Sequence, residues 1–468
     1  MYGKRLFYAK GPVSWASTGD VTRIRNPYSD YGYYFLTQTD GAPLTVDADA
    51  FLQSFYPGND DYHVLHEVDN FAWFQGGRNL FEDTPIAKGT SKTYTLASTA
   101  RTLTGKVSVV LSAGMAGSAS IKVNGREVGQ INIVLSQYDK GNAAGKTFQV
   151  DNLSANNEVE ITTTQGGPIR LDYIQLTLSE PKPAPDLAAA TFPVPEYVHT
   201  ITNQNLHADG PADMVIIIPT SQKLLSQAQR LKAFREKNDG LRVRIVPSDE
   251  LFNEFSSGTP DANAYRRYLK MLYDRADTDA DMPRYLLLFG DCTWDNRMNT
   301  SEWRQARTED YLLCFESENS FNEVLCYVDD GFFGLLDDGE GVAPDKSDKL
   351  DLAVGRFPVT TEEEAKILVD KTISYALNDQ AGAWQNTLVF MGDDGNNNLH
   401  MTDLNDAAED VAARYPGYVI KKIMWDTFKR ESSSTGYTYP DVTTAIKQYQ
   451  SSGALIMDYA GHGRADQI

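Results

Sequence analysis

Short apolar runs that alternate with helical segments constrain the fold of this 468-residue chain more than any other feature. Met214–Pro219 is apolar throughout, and Arg284–Phe289 is a similar run. Runs of this length predict central strands of a parallel sheet, because such strands are buried on both faces. Segments 221–237 and 262–275 lie between them and carry apolar residues at helical spacing. This alternation predicts a doubly wound α/β sheet.

The same alternation continues toward the C-terminus. It predicts strands at 352–358, 387–391, 418–424 and 454–457, and helices at 361–375, 403–414 and 442–450. Because the pattern restarts near residue 381, we expect two α/β subdomains, 197–380 and 381–468. The sheet of the second subdomain is still incomplete at Ile468, so we expect this domain to be C-terminally truncated.

Residues 1–180 have a different pattern. Apolar and polar residues alternate over many short segments, which is typical of half-buried antiparallel strands. With no helical pattern between these strands, we expect a jelly-roll-like β-sandwich. A structural role for this domain is favoured over carbohydrate binding, because no aromatic cluster can be placed on one face. Residues 181–196 are rich in proline and predict an extended linker.

Charge and composition narrow the range of partners. The net charge is −21, which disfavours binding to nucleic acid. No apolar run is long enough to predict a transmembrane segment. Clustered aspartates between residues 292 and 350 could hold calcium, although solvated turns are the simpler interpretation. Three cysteines are too few for a disulfide scaffold; Cys314 and Cys326 could form a bridge or remain buried thiols.

A histidine between two glycines follows the last predicted strand. In Gly461-His462-Gly463 the glycines permit a sharp turn and a close approach of the backbone to another group. Functional sites of open α/β sheets collect at the carboxyl ends of strands, which favours acid/base chemistry for His462. A turn with an incidental histidine is the alternative interpretation.

Four blocks, in order along the chain, resemble the gingipain family of cysteine peptidases. They are Pro283–Asp291, Leu352–Pro358, Gly392–Gly395 and Asp458–Gly463. The resemblance runs from about residue 200 to 468 and implies a caspase-like α/β fold. The β-rich domain ahead of it points to the branch of the family that acts as the sortase of the type IX secretion system.

The resemblance also implies roles for individual residues. His462 corresponds to the catalytic histidine, which would activate a cysteine thiolate, and the backbone N–H of Gly463 would help to hold the oxyanion. Asp394, with Asp393 adjacent, corresponds to the acid that orients the histidine. Asp403 lies near the acidic position of the pocket that binds the substrate side chain before the scissile bond. No metal site is predicted, and no cofactor is required.

The nucleophile is the main departure from the family pattern. In the family the cysteine follows the histidine, but this sequence has no cysteine after Cys326. We therefore expect the nucleophile to lie beyond Ile468 and residues 1–468 alone to be inactive. Cys292, which follows a predicted strand end, is the alternative, because the chain order of catalytic groups varies among folds.

The resemblance implies protein substrates, namely the C-terminal signal domains of secreted cargo. It also implies outer-membrane secretion partners and a location that is secreted or at the bacterial outer-membrane surface. The alternatives are a non-catalytic cell-surface scaffold of the same architecture and a carbohydrate-binding protein that uses the β-sandwich.

Overall fold

The computed structural model describes residues 6–16, 23–38, 40–41, 46–98, 102–201, 203–341, 348–433 and 436–463. The chain divides into two compact units, Met1–Val369 and Asp370–Ile468.

Unit 1 begins with strands. Its elements before residue 180 are β1 (Val13–Trp15), β2 (Arg23–Arg25), α1 (Ala48–Gln53), β3 (His63–Glu67), β4 (Ser91–Ala97), β5 (Gly105–Ala113), β6 (Gly117–Val123), β7 (Arg126–Ile133), β8 (Asn142–Val150), β9 (Asn156–Gln165) and β10 (Ile169–Leu178).

Two four-stranded antiparallel sheets form the N-terminal domain. Their strand orders are β3-β10-β5-β8 and β4-β9-β6-β7. Inward-facing residues of both sheets, such as Val109 and Ile161, share one buried hydrophobic core. The alternation of buried and exposed residues along β4 and β9 is the expected pattern for strands with one face on such a core. The predicted β-sandwich is confirmed, although residues 33–37, which lie in the region with the strand-like pattern, have no regular structure.

The α/β part of unit 1 follows the proline-rich segment. Its elements are β11 (Met214–Ile218), α2 (Leu225–Asp239), β12 (Val243–Pro247), α3 (Ser248–Phe255), α4 (Asn263–Asp274), β13 (Tyr285–Phe289), β14 (Ala353–Phe357) and α5 (Glu362–Leu377), whose last residues extend into unit 2. The strands are parallel in the order β12-β11-β13-β14. Every residue of β11 is buried, which explains its uninterrupted apolar sequence.

Unit 2 holds a second parallel sheet. Its elements are β15 (Thr387–Gly392), α6 (Gly395–Arg414), β16 (Val419–Met424), β17 (Glu431–Ser433), β18 (Gly436–Thr438), α7 (Pro440–Ser452) and β19 (Ile456–Ala460). The sheet order is β16-β15-β19, and β17 and β18 form a separate antiparallel hairpin. The predicted parallel-sheet α/β architecture is confirmed, with β19 two to three residues later than predicted.

Helices cover both faces of the central strand of unit 2. Leu388 and Phe390 pack with Leu404 of α6, whereas Val389 and Met391 pack with Val442 of α7. Successive side chains of β15 therefore pack into different cores on the two faces of the sheet.

Candidate active site

Two neighbouring strands of unit 2 end side by side. β15 and β19 are parallel, and Gly392 at the end of β15 is paired with Ala460 at the end of β19. The residues that follow are Asp393 on one strand and Gly461-His462 on the other. Because the carboxyl ends of parallel strands meet at one edge, Asp393 and His462 are brought together from positions 69 residues apart.

Asp393 is the centre of this group of residues. Its carboxylate is buried, with 6% of the residue exposed. Oδ2 accepts a hydrogen bond of 2.8 Å from the backbone N–H of His462, and Oδ1 accepts one of 2.9 Å from the backbone N–H of Gly395. The hydroxyl of Tyr459 lies 2.9 Å from Oδ2 and also 2.9 Å from the backbone carbonyl of His462. The carboxylate therefore fixes the path of the chain at His462.

Gly461 allows this contact. A β-carbon at position 461 would lie 2.1 Å from the hydroxyl oxygen of Tyr459 and 2.4 Å from Oδ2 of Asp393. Both separations are far below van der Waals contact, so a side chain at this position would push the backbone away from the carboxylate. The backbone at Gly461 therefore approaches another group closely, as expected, and that group is the carboxylate of Asp393.

A second histidine joins the group through a short left-handed turn. Asn396, Asn397 and Asn398 all have positive φ, which asparagine tolerates better than most residues. The turn returns the chain so that Nδ1 of His400 hydrogen-bonds to Oδ1 of Asp393. The rings of His400 and His462 lie with their centroids 5.0 Å apart in an edge-to-face arrangement.

Asp393 is ionised at neutral pH. Burial alone would raise its pKa, but the hydrogen bonds from His400, from the backbone amides of His462 and Gly395 and from Tyr459 outweigh burial and hold the pKa at about 2. Burial and the adjacent carboxylate raise the pKa of Tyr459, which therefore stays a neutral donor. Because an ionised carboxylate can only accept, Nδ1 of His400 carries the proton in this contact.

The neighbouring Asp394 has different partners. It accepts a hydrogen bond of 2.6 Å from the hydroxyl of Tyr439, and Arg430 lies 3.7 Å from the same oxygen. Of the two adjacent aspartates, Asp393 is the one that contacts His462, and it holds the backbone of that residue and the ring of His400. Within the described residues, the ring of His462 itself has no hydrogen-bond partner.

The other residues predicted for the site are more peripheral. Gly463 follows His462 directly and is exposed, so its N–H belongs to the same strand end. Asp403 lies on an exposed part of α6, and no hydrogen bond or ion pair joins it to the described residues around Asp393. His400, Tyr459 and Tyr439 are not among the residues that the sequence predicted for the site; the available signal was that Tyr459 lies inside the block that carries His462.

All three cysteines are free thiols of unit 1. Cys314 is buried and Cys292 is partly exposed just after β13. A hydrogen bond from the Cys314 thiol and the nearby charge of Arg356 lower the pKa of Cys292 although burial opposes them. The pKa of Cys314 is raised, because it is the donor of that pair and is buried. Cys292 and His462 belong to different units of the chain.

Two groups within the described residues have the side chains to hold a metal ion. One consists of Asp393, His400 and His462, and the other of Glu67, Asp69 and Asp172. The acidic group already has cationic partners, because Arg25 lies 2.7 Å from Glu67 and Arg297 lies 2.7 Å from Asp69. Calcium binding by this chain stays a prediction.

Residues 207–468 match the sequence model of peptidase family C25, and this match spans more than half of the chain. The chain belongs to peptidase family C25. The gingipain-type resemblance of the four sequence blocks is thereby confirmed, and with it a cysteine-peptidase-like domain. No helix in the described part of this C25 member is long and apolar enough to cross a membrane.

The fold is similar to the crystal structure of dimeric latent PorU from Porphyromonas gingivalis. The TM-score is 0.62 at 25% sequence identity, and the similarity covers 81% of this chain. It covers 44% of the PorU chain, so the present chain spans less than half of the length of that protein.

Carbohydrate-binding modules are also similar to part of the chain. A CBM36 module in complex with calcium and xylotriose has 14% identity and a TM-score of 0.16, covering 20% of this chain and 77% of the module. CBM35 from Cellvibrio japonicus Abf62 has 15% identity and a TM-score of 0.18, covering 24% and 87%. These scores are too low to support a conclusion. No curated protein matches this chain in sequence.

Proposed function

We propose that this chain is part of a gingipain-type cysteine endopeptidase in which His462 is the catalytic histidine. The observation that carries the proposal is the position of His462 at the end of β19, held through its backbone by the ionised carboxylate of Asp393. His462 is exposed just after the carboxyl end of β19, where its imidazole can reach a substrate. A base must be accessible, and an exposed imidazole on a backbone that Asp393 holds in place meets this requirement.

In the proposed reaction a cysteine thiol gives its proton to His462 and its sulfur attacks the carbonyl carbon of a peptide bond. His462 then returns the proton to the leaving amine, and water hydrolyses the thioester. The backbone N–H of Gly463 would stabilise the negative oxygen of the tetrahedral intermediates. Asp393 acts as a positioning residue, because its carboxylate holds the backbone of His462. The sequence has no cysteine after Cys326, so the proposal places the nucleophile outside residues 1–468.

The proposed substrate class is the C-terminal signal domain of proteins secreted by the type IX system. The support is the similarity to PorU over 81% of this chain, together with the β-sandwich that precedes the peptidase part. This role implies secretion to the outer-membrane surface and contact with outer-membrane secretion partners. No cofactor is required for the thiol chemistry, and calcium would have a structural role.

The test uses the full-length protein and a cargo protein that carries a C-terminal signal domain. We expect His462→Ala to lower the rate of cargo cleavage by about a thousandfold or more, since loss of one member of a catalytic unit removes most of its rate enhancement. His207→Ala is the matched control, because His207 belongs to unit 1 and contacts Glu254 instead. Unchanged cleavage by His462→Ala would contradict the proposal and favour a non-catalytic scaffold.

The position of the nucleophile is tested separately. Residues 1–468 alone should not hydrolyse the cargo, and Cys292→Ser in the full-length protein should retain its cleavage rate. If Cys292→Ser abolished cleavage while the protein remained folded, the nucleophile would be Cys292, whose pKa Arg356 and Cys314 help to lower.

A further inference from the structure

Two potential ligand atoms and the ring of His400 surround one point beside Gly395. A β-carbon placed on Gly395 would lie 2.9 Å from Oδ1 of Asp393, 2.9 Å from Nδ1 of His462 and 3.1 Å from Cε1 of His400. Only the absence of a side chain on Gly395 leaves this space free. The convergence joins residues from the end of β15, the start of α6 and the end of β19.

The ligand atoms suit a transition-metal ion. Asp393, His400 and His462 each offer one ligand atom, and these atoms lie within 4.8 Å of one another. Zinc binds imidazole nitrogen and carboxylate oxygen at about 2.0–2.2 Å, so the side chains must rotate to bring all three atoms into its coordination sphere. Where Nδ1 of His400 is the ligand, the ion replaces the proton that this nitrogen donates to Asp393, and that proton is released to water. Two imidazoles with one carboxylate favour zinc or a similar first-row ion, whereas calcium and magnesium prefer oxygen ligands alone.

The surroundings of Asp393 match those of a metal-binding carboxylate. The backbone amides of Gly395 and His462 hydrogen-bond to it, and the hydroxyl of Tyr459 lies within hydrogen-bonding distance of Oδ2. Hydrogen bonds from neighbouring groups to a ligand side chain fix its orientation before the ion binds, and they are typical of metal sites. His462 is exposed, so one side of the site is open to water or to a further ligand. Three protein ligands with an open position are the usual arrangement of reactive zinc sites.

We propose that Asp393, His400 and His462 form a binding site for a zinc-class divalent ion. Binding of the ion needs only these side chains. Its consequence rests on the proposed function: an ion on the imidazole of His462 would occupy the lone pair that accepts the proton of the cysteine, so zinc would inhibit the peptidase reversibly. His400 supplies the second imidazole and thereby has a role that the peptidase mechanism does not require.

Calorimetric titration of metal-free protein with Zn²⁺ tests the binding directly. We expect one ion per chain, and at least a tenfold weaker affinity for His400→Ala and for His462→Ala. His207→Ala is the matched control: it removes a histidine whose Nδ1 lies 2.6 Å from a carboxylate oxygen of Glu254 but which has no second histidine beside it in the described residues. Its affinity should equal that of the wild type.

Gly395→Ala is a second test that leaves every ligand in place. Its methyl group would occupy the point on which the ligands converge, so zinc binding should be lost while the protein stays folded, as judged by circular dichroism. Co²⁺ in place of Zn²⁺ should give the intense visible absorption of a four-coordinate site in the wild type and not in His400→Ala.

Equal zinc affinity of the wild type and the His400→Ala, His462→Ala double variant would overturn the metal site. Peptidase activity is scored independently in the full-length protein. Zinc binding without inhibition of cargo cleavage would contradict the role of His462 as general base, whereas inhibition by zinc that persists in His400→Ala at the same concentration would contradict the site.

Discussion

Asp393 and Asp394 show how far the environment separates two identical side chains. Asp393 is the first residue after β15 and faces the end of β19, where backbone amides and a tyrosine surround it. Asp394 is one position further along and contacts Tyr439 and Arg430. Only Asp393 is buried. A single step along the chain thus decides which carboxylate organises the candidate active site.

Asp393→Asn should destabilise the protein by about 1–3 kcal/mol, because its new amide group would meet N–H donors that now point at a charged acceptor. Urea denaturation measures this loss. Asp394→Asn is the matched control and should lower the free energy of unfolding by less than about 1 kcal/mol. Asp394 is more exposed than Asp393, and the amide oxygen of an asparagine at this position could still accept the hydrogen bond from Tyr439. Equal losses in the two variants would mean that the contacts of Asp393 are not the stronger ones.

The end of β15 is packed closely against α6. A β-carbon on Gly392 would lie 2.8 Å from Cα and 3.1 Å from the backbone nitrogen of Met401. Backbone atoms cannot rotate away as a side chain can, so the helix would have to move. Gly355 of β14, by contrast, has no atom within 4 Å of the same position.

Gly392→Ala should therefore cost about 1–3 kcal/mol through overpacking, and Gly355→Ala should change stability by less than about 1 kcal/mol. Chemical denaturation of the two variants measures the difference. A stability of Gly392→Ala equal to that of the wild type would show that α6 is free to shift at this point.

One carboxylate of helix α3 contacts residues 204–207, which precede β11. Glu254 accepts hydrogen bonds from the backbone amides of Leu206 and His207 at 2.6 and 3.1 Å and from the side chain of Gln204 at 2.9 Å. Burial opposes ionisation, but these donors and the ring of His207 hold the pKa of Glu254 at about 2. These hydrogen bonds are therefore strongest while Glu254 is charged.

A carboxyl group whose pKa is lower in the folded than in the unfolded state stabilises the fold at pH values above its unfolded pKa, which is about 4.3 for glutamate. This contribution to stability is lost as the pH falls from there toward 2. Glu254→Gln should thus flatten the acid limb of a plot of stability against pH between about 4 and 2. Glu250→Gln, on the same helix, should not flatten it, because burial raises the pKa of Glu250. Identical acid limbs in the wild type and Glu254→Gln would contradict the role of these hydrogen bonds.

Within unit 1, one arginine joins segments from three parts of the sequence. Arg297, whose side chain is 4% exposed, lies 2.8 Å from Asp30 and 2.7 Å from Asp69. Asp30 follows β2, Asp69 follows β3 of the sandwich, and Arg297 belongs to the α/β part. The N-terminal residues, the sandwich and the α/β part are therefore linked by ion pairs to one buried arginine as well as by chain connectivity.

Arg297→Met should destabilise unit 1 by about 3 kcal/mol, because it removes the nearest cation from the buried carboxylate of Asp69 and leaves only Arg25, at 3.3 Å. Arg307→Met is the control: its ion pair with Glu309 is exposed and should contribute about 1 kcal/mol or less. Thermal unfolding followed by calorimetry compares them. Similar shifts of the unfolding temperature would mean that the buried cluster is not a stabilising link.

Much of the fold could be predicted from local pattern, because period-two alternation and short apolar runs report directly on burial. The sandwich strands and β11, β13 and β15 follow this rule. The pattern failed where local chemistry was weak. β8 contains Asn142, Gly145 and Lys146, so its sequence is more typical of a loop than of a strand. The other such element is α3, a single short helix next to β12. The roles predicted for His462, Gly463, Asp394 and Asp403 in catalysis stay predictions.

The sequence by itself determined the class of each domain, the family and the position of His462 after a strand, since these depend on periodicity and on short motifs. Only the tertiary structure decided that Asp393 holds His462, that His400 lies against it and that Gly395 leaves space between the three. The reason is that residue 462 lies 69 positions from residue 393, so their contact depends on which strands are neighbours in the sheet and where each one ends. Residue 400 is only seven positions from residue 393, but their contact depends on the left-handed turn between them, which no periodicity predicts.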